Sequence, residues 1–105
     1  MELSKSALYI SVLQDLHTIV QYTYDISTDY ELEVHQALSV IIVKKGRFIL
    51  PKNGLTIYSL CGDPEPKNFA YNLVVQRDYN KTVAFQILEH LKQNLSTHFL
   101  QNLNS

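Results

Sequence analysis

Cysteine, glycine and proline are all scarce in this sequence of 105 residues, and each shortage excludes a class of protein. The single cysteine, Cys61, cannot form an internal disulfide, which excludes a scaffold held together by disulfides. Three glycines and three prolines are too few for a long linker or a disordered tail. With 46% hydrophobic residues, a chain of this length has room for one compact domain, residues 1–105.

Long hydrophobic runs are also lacking. The longest nearly apolar run, residues 37–43, is far shorter than the roughly 20 residues that cross a bilayer as a helix. The first residues, Met-Glu-Leu-Ser-Lys-Ser, contain no basic region leading into an apolar stretch, so no secretory signal is expected. The sequence therefore predicts a cytoplasmic protein that meets membranes only peripherally, through its partners.

The net charge of −1 excludes an excess of basic residues that would bind along a phosphate backbone, so nucleic acid is not an expected partner. The charges are unevenly distributed, however, with a balance of −5 over residues 1–43 and +4 over residues 44–105. Four cations within nine positions form a candidate basic patch: Lys44, Lys45, Arg47 and Lys52. Such a patch suits anionic lipid headgroups or an acidic protein surface. Alternatively, these cations protect an edge strand against aggregation.

The first half of the sequence predicts a β-hairpin followed by a helix. Residues 7–13 and 17–26 are rich in β-branched and aromatic residues, with a short turn between them. Residues 27–29 offer capping side chains, so a helix is expected to begin near Tyr30. Apolar residues then recur at threes and fours up to residues 44–46, where two lysines and a glycine predict the end of the helix.

A second hairpin is predicted after this helix. Residues 47–50 are predicted to form a short strand. Because of Pro51, this strand is expected either to lie at a sheet edge or to end at the proline. Asn53-Gly54 is a turn signal that leads into a second strand over residues 55–60.

The last third predicts a fifth strand and a second helix. A loop at residues 62–66 precedes an apolar strand over residues 69–75, which suits the centre of a sheet. Asp78 is the expected N-cap of a helix with an apolar stripe over residues 83–99. The order β-β-α-β-β-β-α predicts an α+β domain, in which helices pack on a largely antiparallel five-stranded sheet.

Signatures of catalysis are scarce in the sequence. There is no glycine-rich phosphate loop, no serine elbow and no Cys-x-x-Cys pair. Glu31 and His35 share a helix face, but two groups without a third ligand do not make a metal site. Cys61 ends an apolar strand and is expected to be structural. We therefore predict no enzyme, no metal and no cofactor. The alternative, a small enzyme or ligand sensor, is supported only by the histidines and Cys61.

Three segments of the chain resemble parts of one known domain. Residues 8–13 resemble the start of that domain, and residues 24–27 resemble the close of its first hairpin. The most specific match is residues 77–89, Arg-Asp-Tyr-Asn-Lys-Thr-Val-Ala-Phe-Gln-Ile-Leu-Glu. It is similar to the family's final strand, its acidic-aromatic turn and the start of its second helix. With these segments the chain resembles the longin domain of R-SNARE proteins over roughly residues 7–99, and its opening is most similar to the farnesylated branch.

The resemblance implies a profilin-like fold with helices on both faces of the five-stranded antiparallel sheet. It also implies a non-catalytic module of vesicle trafficking that regulates SNARE-mediated membrane fusion or sorting at the ER, Golgi or endosome. The partner would be a SNARE motif, a sorting adaptor or a small GTPase, docked in a groove between the first helix and the third strand. The residues implied to line this groove are Ala37, Val40, Val43, Phe48 and Leu50. Apolar residues on more than one side of the first helix fit either a groove or a deeply buried helix.

The sequence also departs from the family pattern. No heptad segment with a central arginine, no transmembrane helix and no prenylation cysteine follows the domain, and the third helix is absent or reduced to residues 96–103. One sheet face is therefore expected to be partly uncovered. Either the chain is an excised or free-standing longin domain, or it buries that face in a homodimer or a larger complex. The alternative function is a dimeric structural subunit related to adaptor small chains, tethering-complex subunits or roadblock-type GTPase regulators.

Overall fold

A computed structural model of the protein describes residues 7–40, 45–52, 54–61 and 69–103, which contain five strands and two helices. The strands form one antiparallel sheet, which confirms the predicted α+β class. The elements in chain order are β1 (Ala7–Gln14), β2 (His17–Thr23), α1 (Tyr30–Leu38), β3 (Gly46–Lys52), β4 (Leu55–Cys61), β5 (Phe69–Gln76) and α2 (Lys81–Leu103).

The strands lie in the order β2-β1-β5-β4-β3. The central strand is β5, whose apolar sequence leaves six of its eight residues buried. β1 joins the first hairpin to β5 on one side, and β4 joins the second hairpin to β5 on the other. The edges are β2 and β3, and an edge tolerates the missing amide of Pro51 because that side needs no ladder hydrogen bond.

The first hairpin turns through two residues with positive φ, Asp15 at 51° and Leu16 at 67°. Positive φ at both positions gives the turn the twist that matches the flanking strands. A leucine is unfavourable in this conformation because its side chain crowds the backbone. Leu16 is partly buried against the cluster beneath α1, and this contact offsets the local strain.

Helix α1 begins at Tyr30, as predicted, where the Asp29 carboxylate accepts a hydrogen bond from the Leu32 amide at 3.2 Å. It ends at Leu38, earlier than the predicted end near residues 44–46. The Ser39 hydroxyl donates to the Gln36 carbonyl at 2.7 Å, and such local bonds compete with continued helix. The apolar periodicity over residues 41–44, Asn53 of the predicted turn and the predicted loop at 62–66 all lie outside the described residues.

The predicted N-cap of α2, Asp78, is wrong by two residues. The Asn80 side chain performs this role, because its Oδ1 accepts a hydrogen bond from the Val83 amide at 3.0 Å. The backbone carbonyl of Asn80 accepts the first helical bond, from the Ala84 amide, at 3.0 Å. Helix α2 then continues to Leu103, so residues 96–103 extend it.

Each helix packs on its own cluster of sheet side chains. The cluster of α1 contains Tyr9, Leu13, Tyr30, Val34, Leu38, Ile57, Cys61 and Val74. The cluster of α2 contains Ala7, Val12, Tyr58, Leu60, Phe69, Tyr71, Leu73, Val75, Ala84, Phe85 and Leu88. Aromatic contacts occur in both, with ring centroids 5.9 Å apart for Tyr9 and Tyr30 and 5.3 Å apart for Tyr58 and Phe85. The sheet therefore holds α1 and α2 through different sets of residues.

Candidate functional site

Three of the five predicted groove residues contact the same cluster beneath α1. Ala37 lies on the helix, Phe48 and Leu50 lie on β3, and all three are half-buried. Val40 follows the end of α1 and is 77% exposed. Val43 lies outside the described residues. The three described residues Ala37, Phe48 and Leu50 thus form an apolar, half-buried surface beside α1 and β3, and Val40 is an exposed apolar residue close in sequence to Ala37.

The alternation of β3 explains this placement. Successive side chains of a strand point to opposite sides, and from Arg47 to Lys52 the burial of β3 alternates between exposed and half-buried. Phe48 is paired with Ser59 and Leu50 with Ile57 on the neighbouring strand, and Ile57 belongs to the cluster of α1. The same alternation directs Lys52 toward α1.

Lys52 connects the end of β3 to α1. Its Nζ donates to the Gln36 side-chain oxygen at 2.6 Å and lies 3.2 Å from the Glu33 carboxylate. The side chains of Lys52 and Glu33 are only 24% and 23% exposed, so solvent screens this ion pair less than a fully exposed one. The contact holds α1 against the end of β3.

The structure does not bring the described members of the basic patch together. Lys52 faces α1, whereas the Arg47 guanidinium lies 3.6 Å from the Glu89 carboxylate of α2 and 5.2 Å from the centre of the Phe85 ring. Lys45 is exposed, and Lys44 lies outside the described residues. Because Arg47 and Lys52 contact different helices, one small anion cannot bind both.

A shallow groove of about 360 Å³ lies beside α2. It is lined in part by Arg47, Lys81, Phe85, Glu89 and His90. Arg47 is already paired with Glu89 and stacked on Phe85, so its charge is partly neutralised. The sequence does not predict this groove, because nothing in the local pattern indicates that α2 packs beside β3.

Of Glu31 and His35, the two residues that share a face of α1, His35 makes a structural contact. The His35 Nε2 atom lies 3.0 Å from the Thr18 hydroxyl, so the ring joins α1 to β2 through a hydrogen bond. Across the described ranges, no three His, Cys, Asp or Glu side chains are grouped to hold a metal ion. Glu31 lines a shallow surface hollow with Asp29, Leu32 and His35.

The loop that leads into α1 is held by Asp25. Its carboxylate accepts hydrogen bonds from the Tyr30 hydroxyl at 2.6 Å, the Ser27 hydroxyl at 2.9 Å and the Ser27 amide at 3.1 Å. These bonds, first of all that from Tyr30, lower the pKa of Asp25. The network positions the first turn of α1, the helix that also contains the predicted groove residue Ala37 further along.

Cys61 is a buried thiol, and burial raises its pKa to about 11. We expect the native protein to react with iodoacetamide near pH 8 at least about 100-fold more slowly than the unfolded chain, because the thiolate fraction falls by about that factor. The measurement is mass spectrometry of alkylated protein over time, with and without guanidinium chloride. Equal rates in the two conditions would contradict a structural role and favour a reactive cysteine.

No helix within the described ranges combines the length and the apolar character needed to cross a membrane. No family model matches the chain, and no curated protein matches it. The geometry at the junction of α1 and β3 is therefore the main guide to function.

Proposed function

We propose that the protein is a non-catalytic, longin-type interaction module of vesicle trafficking that binds a helical SNARE motif between α1 and β3. A sorting adaptor and a small GTPase are the other partners that this surface could serve. The observation that carries the proposal is the half-buried apolar floor formed by Ala37, Phe48 and Leu50, with Val40 exposed nearby. A partner's amphipathic helix can cover such a surface with its apolar face.

The proposed architecture is the profilin-like longin arrangement, β-β-α-β-β-β-α, with helices on both faces of the sheet. Alternate residues of β5 support it, because Tyr71 and Leu73 pack in the cluster of α2 whereas Val74 packs in the cluster of α1. Successive residues of a strand point to opposite faces. The groove of α1 and β3 then lies on the face opposite α2.

Charge adds a preference for the partner. The first turn of α1 contains Glu31 and Glu33, and Asp29 caps it. Glu33 is neutralised by Lys52, which leaves Asp29 and Glu31 to favour cations on the incoming segment. Most of the affinity would come from a few apolar anchors. In this role the protein is cytoplasmic and reaches the ER, Golgi or endosome peripherally, through its partner.

A single substitution at the exposed edge of the groove tests the proposal. Val40→Glu is expected to weaken binding of fluorescein-labelled SNARE-motif peptides at least about tenfold, because burying a valine contributes about 1.5 kcal/mol. The measurement is fluorescence anisotropy. Ile26→Glu is the matched control, since Ile26 is an apolar residue outside the groove that is 92% exposed, and it is expected to leave binding unchanged.

Phe48→Glu provides a second variant, on the strand side of the groove. Phe48 is half-buried, so circular dichroism must first show that this variant folds. Unchanged peptide affinity in both folded variants would exclude the groove. If the wild type binds an adaptor or a small GTPase and none of the SNARE-motif peptides, the SNARE motif is excluded as the partner.

A further inference from the structure

The two edges of the sheet are built differently. β3 contains Arg47, Pro51 and Lys52, and charged residues and proline on an edge strand oppose the addition of another strand. β2, with the sequence His-Thr-Ile-Val-Gln-Tyr-Thr, contains no proline, glycine, aspartate, glutamate, lysine or arginine. Six of its seven residues are exposed. The β2 edge therefore lacks the charge and proline protection that the β3 edge has.

The side chains on one face of β2 are apolar and exposed. Val20 is 41% exposed and Tyr22 is 62% exposed. Val20 lies beside Val12 of β1, which belongs to the cluster of α2. Tyr22 lies beside Ile10 of β1, which packs against the same cluster. The ring of Tyr24 stands 4.7 Å from that of Tyr22 and extends the apolar surface past the end of the strand.

Among the residues that the structure describes, no strand pairs with the outer side of β2. The Tyr24 amide donates to the Leu8 carbonyl of β1 at 2.9 Å. In an antiparallel ladder, residues that bond to the neighbouring strand alternate with residues that point away from it. Tyr22 therefore bonds toward β1, and Gln21 and Thr23 direct their N–H and C=O groups toward the open edge.

We propose that β2 pairs antiparallel with β2 of a second copy of this chain, about a two-fold axis at Gln21. The ladder spans residues 19–23, and the two five-stranded sheets become one continuous sheet. Gln21 then faces Gln21 of the second copy, and Tyr22 faces Val20 of the second copy on the exposed apolar face. Pairs of an aromatic and a β-branched residue directly opposite each other stabilise antiparallel strands.

A second copy fits this edge better than a charged partner does. The uncharged strand is self-complementary, so the two-fold axis brings no like charges together. Five residues give a short contact, about 16 Å long, so we expect weak association, with a dissociation constant between about 1 μM and 1 mM. The groove of α1 and β3 borders the opposite edge of the sheet, so dimerisation does not block it.

The register is testable with a matched pair of double variants. Val20→Lys with Tyr22→Lys places lysines opposite each other at both cross-strand pairs and is expected to weaken association at least tenfold. Val20→Glu with Tyr22→Lys is equally polar but places opposite charges at the same pairs, so association is expected to return. The measurement is sedimentation equilibrium of the full chain up to about 1 mM, where the wild-type mass is expected to rise from 12.1 kDa toward twice that value.

Ile49→Lys is the control at the other edge, because Ile49 is a 43% exposed apolar residue of β3, and it is expected to associate like the wild type. Circular dichroism verifies the fold of each variant. A wild type that stays at 12.1 kDa throughout overturns the proposal. Equal association of the two double variants, or loss of association in Ile49→Lys, overturns the assignment to β2. None of these outcomes depends on SNARE-motif binding, so the proposed function stands or fails separately.

Discussion

Replacement of Asn72 by aspartate is expected to lower the free energy of unfolding at pH 7 by about 3–5 kcal/mol, the cost of an uncompensated buried charge. Asn72 lies in the central strand and is completely buried. Its Oδ1 accepts a hydrogen bond from the Ser59 hydroxyl at 2.8 Å, and its Nδ2 donates to the Ser11 hydroxyl at 3.3 Å. The three side chains cross β1, β5 and β4 as one buried polar row. An aspartate keeps the size of the side chain but loses the Nδ2 donor.

The loss should depend on pH. Burial disfavours the charged form, so the introduced carboxyl has a folded-state pKa above its unfolded value of about 3.9. Below the unfolded pKa the carboxyl is protonated in both states, and the charge penalty is absent. As the pH rises above about 4, the unfolded state ionises first, so the penalty grows. The difference in stability between variant and wild type should therefore be smaller at pH 4 than at pH 7.

Urea denaturation at these two pH values measures the effect, and Asn80→Asp is the matched control. Asn80 is exposed and caps α2 through its side-chain oxygen, a position at which aspartate is an equally good cap. The control is expected to stay within about 0.5 kcal/mol of the wild type. A loss below about 1 kcal/mol for Asn72→Asp, or a loss that does not change with pH, contradicts the buried row.

Leu38→Ala is expected to cost about 3 kcal/mol, which for a domain of this size lowers the melting temperature by about 15 °C. Leu38 is the last residue of α1, and only 1% of it is exposed. Truncation removes its transfer free energy and leaves a cavity against the cluster of α1. Because Ala37 and Val40 lie within two residues of Leu38, the same change is expected to weaken peptide binding at the proposed groove.

Leu32→Ala is the matched control for Leu38→Ala. It makes the same change in the same helix at an exposed position, so it separates the effect of lost burial from an effect on the helix itself. Leu32 belongs to the same helix but is 53% exposed, so this variant is expected to lose less than about 1 kcal/mol and to keep its peptide affinity. Thermal denaturation followed by circular dichroism compares the two. If both leucines cost the same, α1 does not pack through Leu38.

Most of the secondary structure was predictable because it is encoded in local patterns. The β-branched and aromatic residues of β1, the Asn-Gly turn signal before β4 and the apolar run of β5 predict strands, and the capping side chain of Asp29 predicts the start of α1. The errors lie at helix ends, where neighbouring polar residues compete for one role. Asn80 replaces Asp78 as the cap of α2, and α1 ends where the Ser39 hydroxyl bonds to the backbone.

The candidate surfaces were less predictable, because they depend on residues distant in sequence. The alternation of β3 indicates that Phe48 and Leu50 share a side, but only the packing of α1 shows which neighbours they have. The polar row had one signal in the sequence, an asparagine within the apolar run of β5. Its partners, Ser11 and Ser59, come from two other strands.

The sequence by itself determined the α+β class, the positions of the strands and helices, and the absence of a charge excess, because these follow from composition and from periods of two and 3.6 residues. The tertiary structure alone decided the order of the strands, and with it the contrast between a charged edge at β3 and an uncharged edge at β2. It also separated Arg47 from Lys52, which lie on the same short strand but contact different helices. Strand order and helix placement come from long-range burial, which no local pattern encodes.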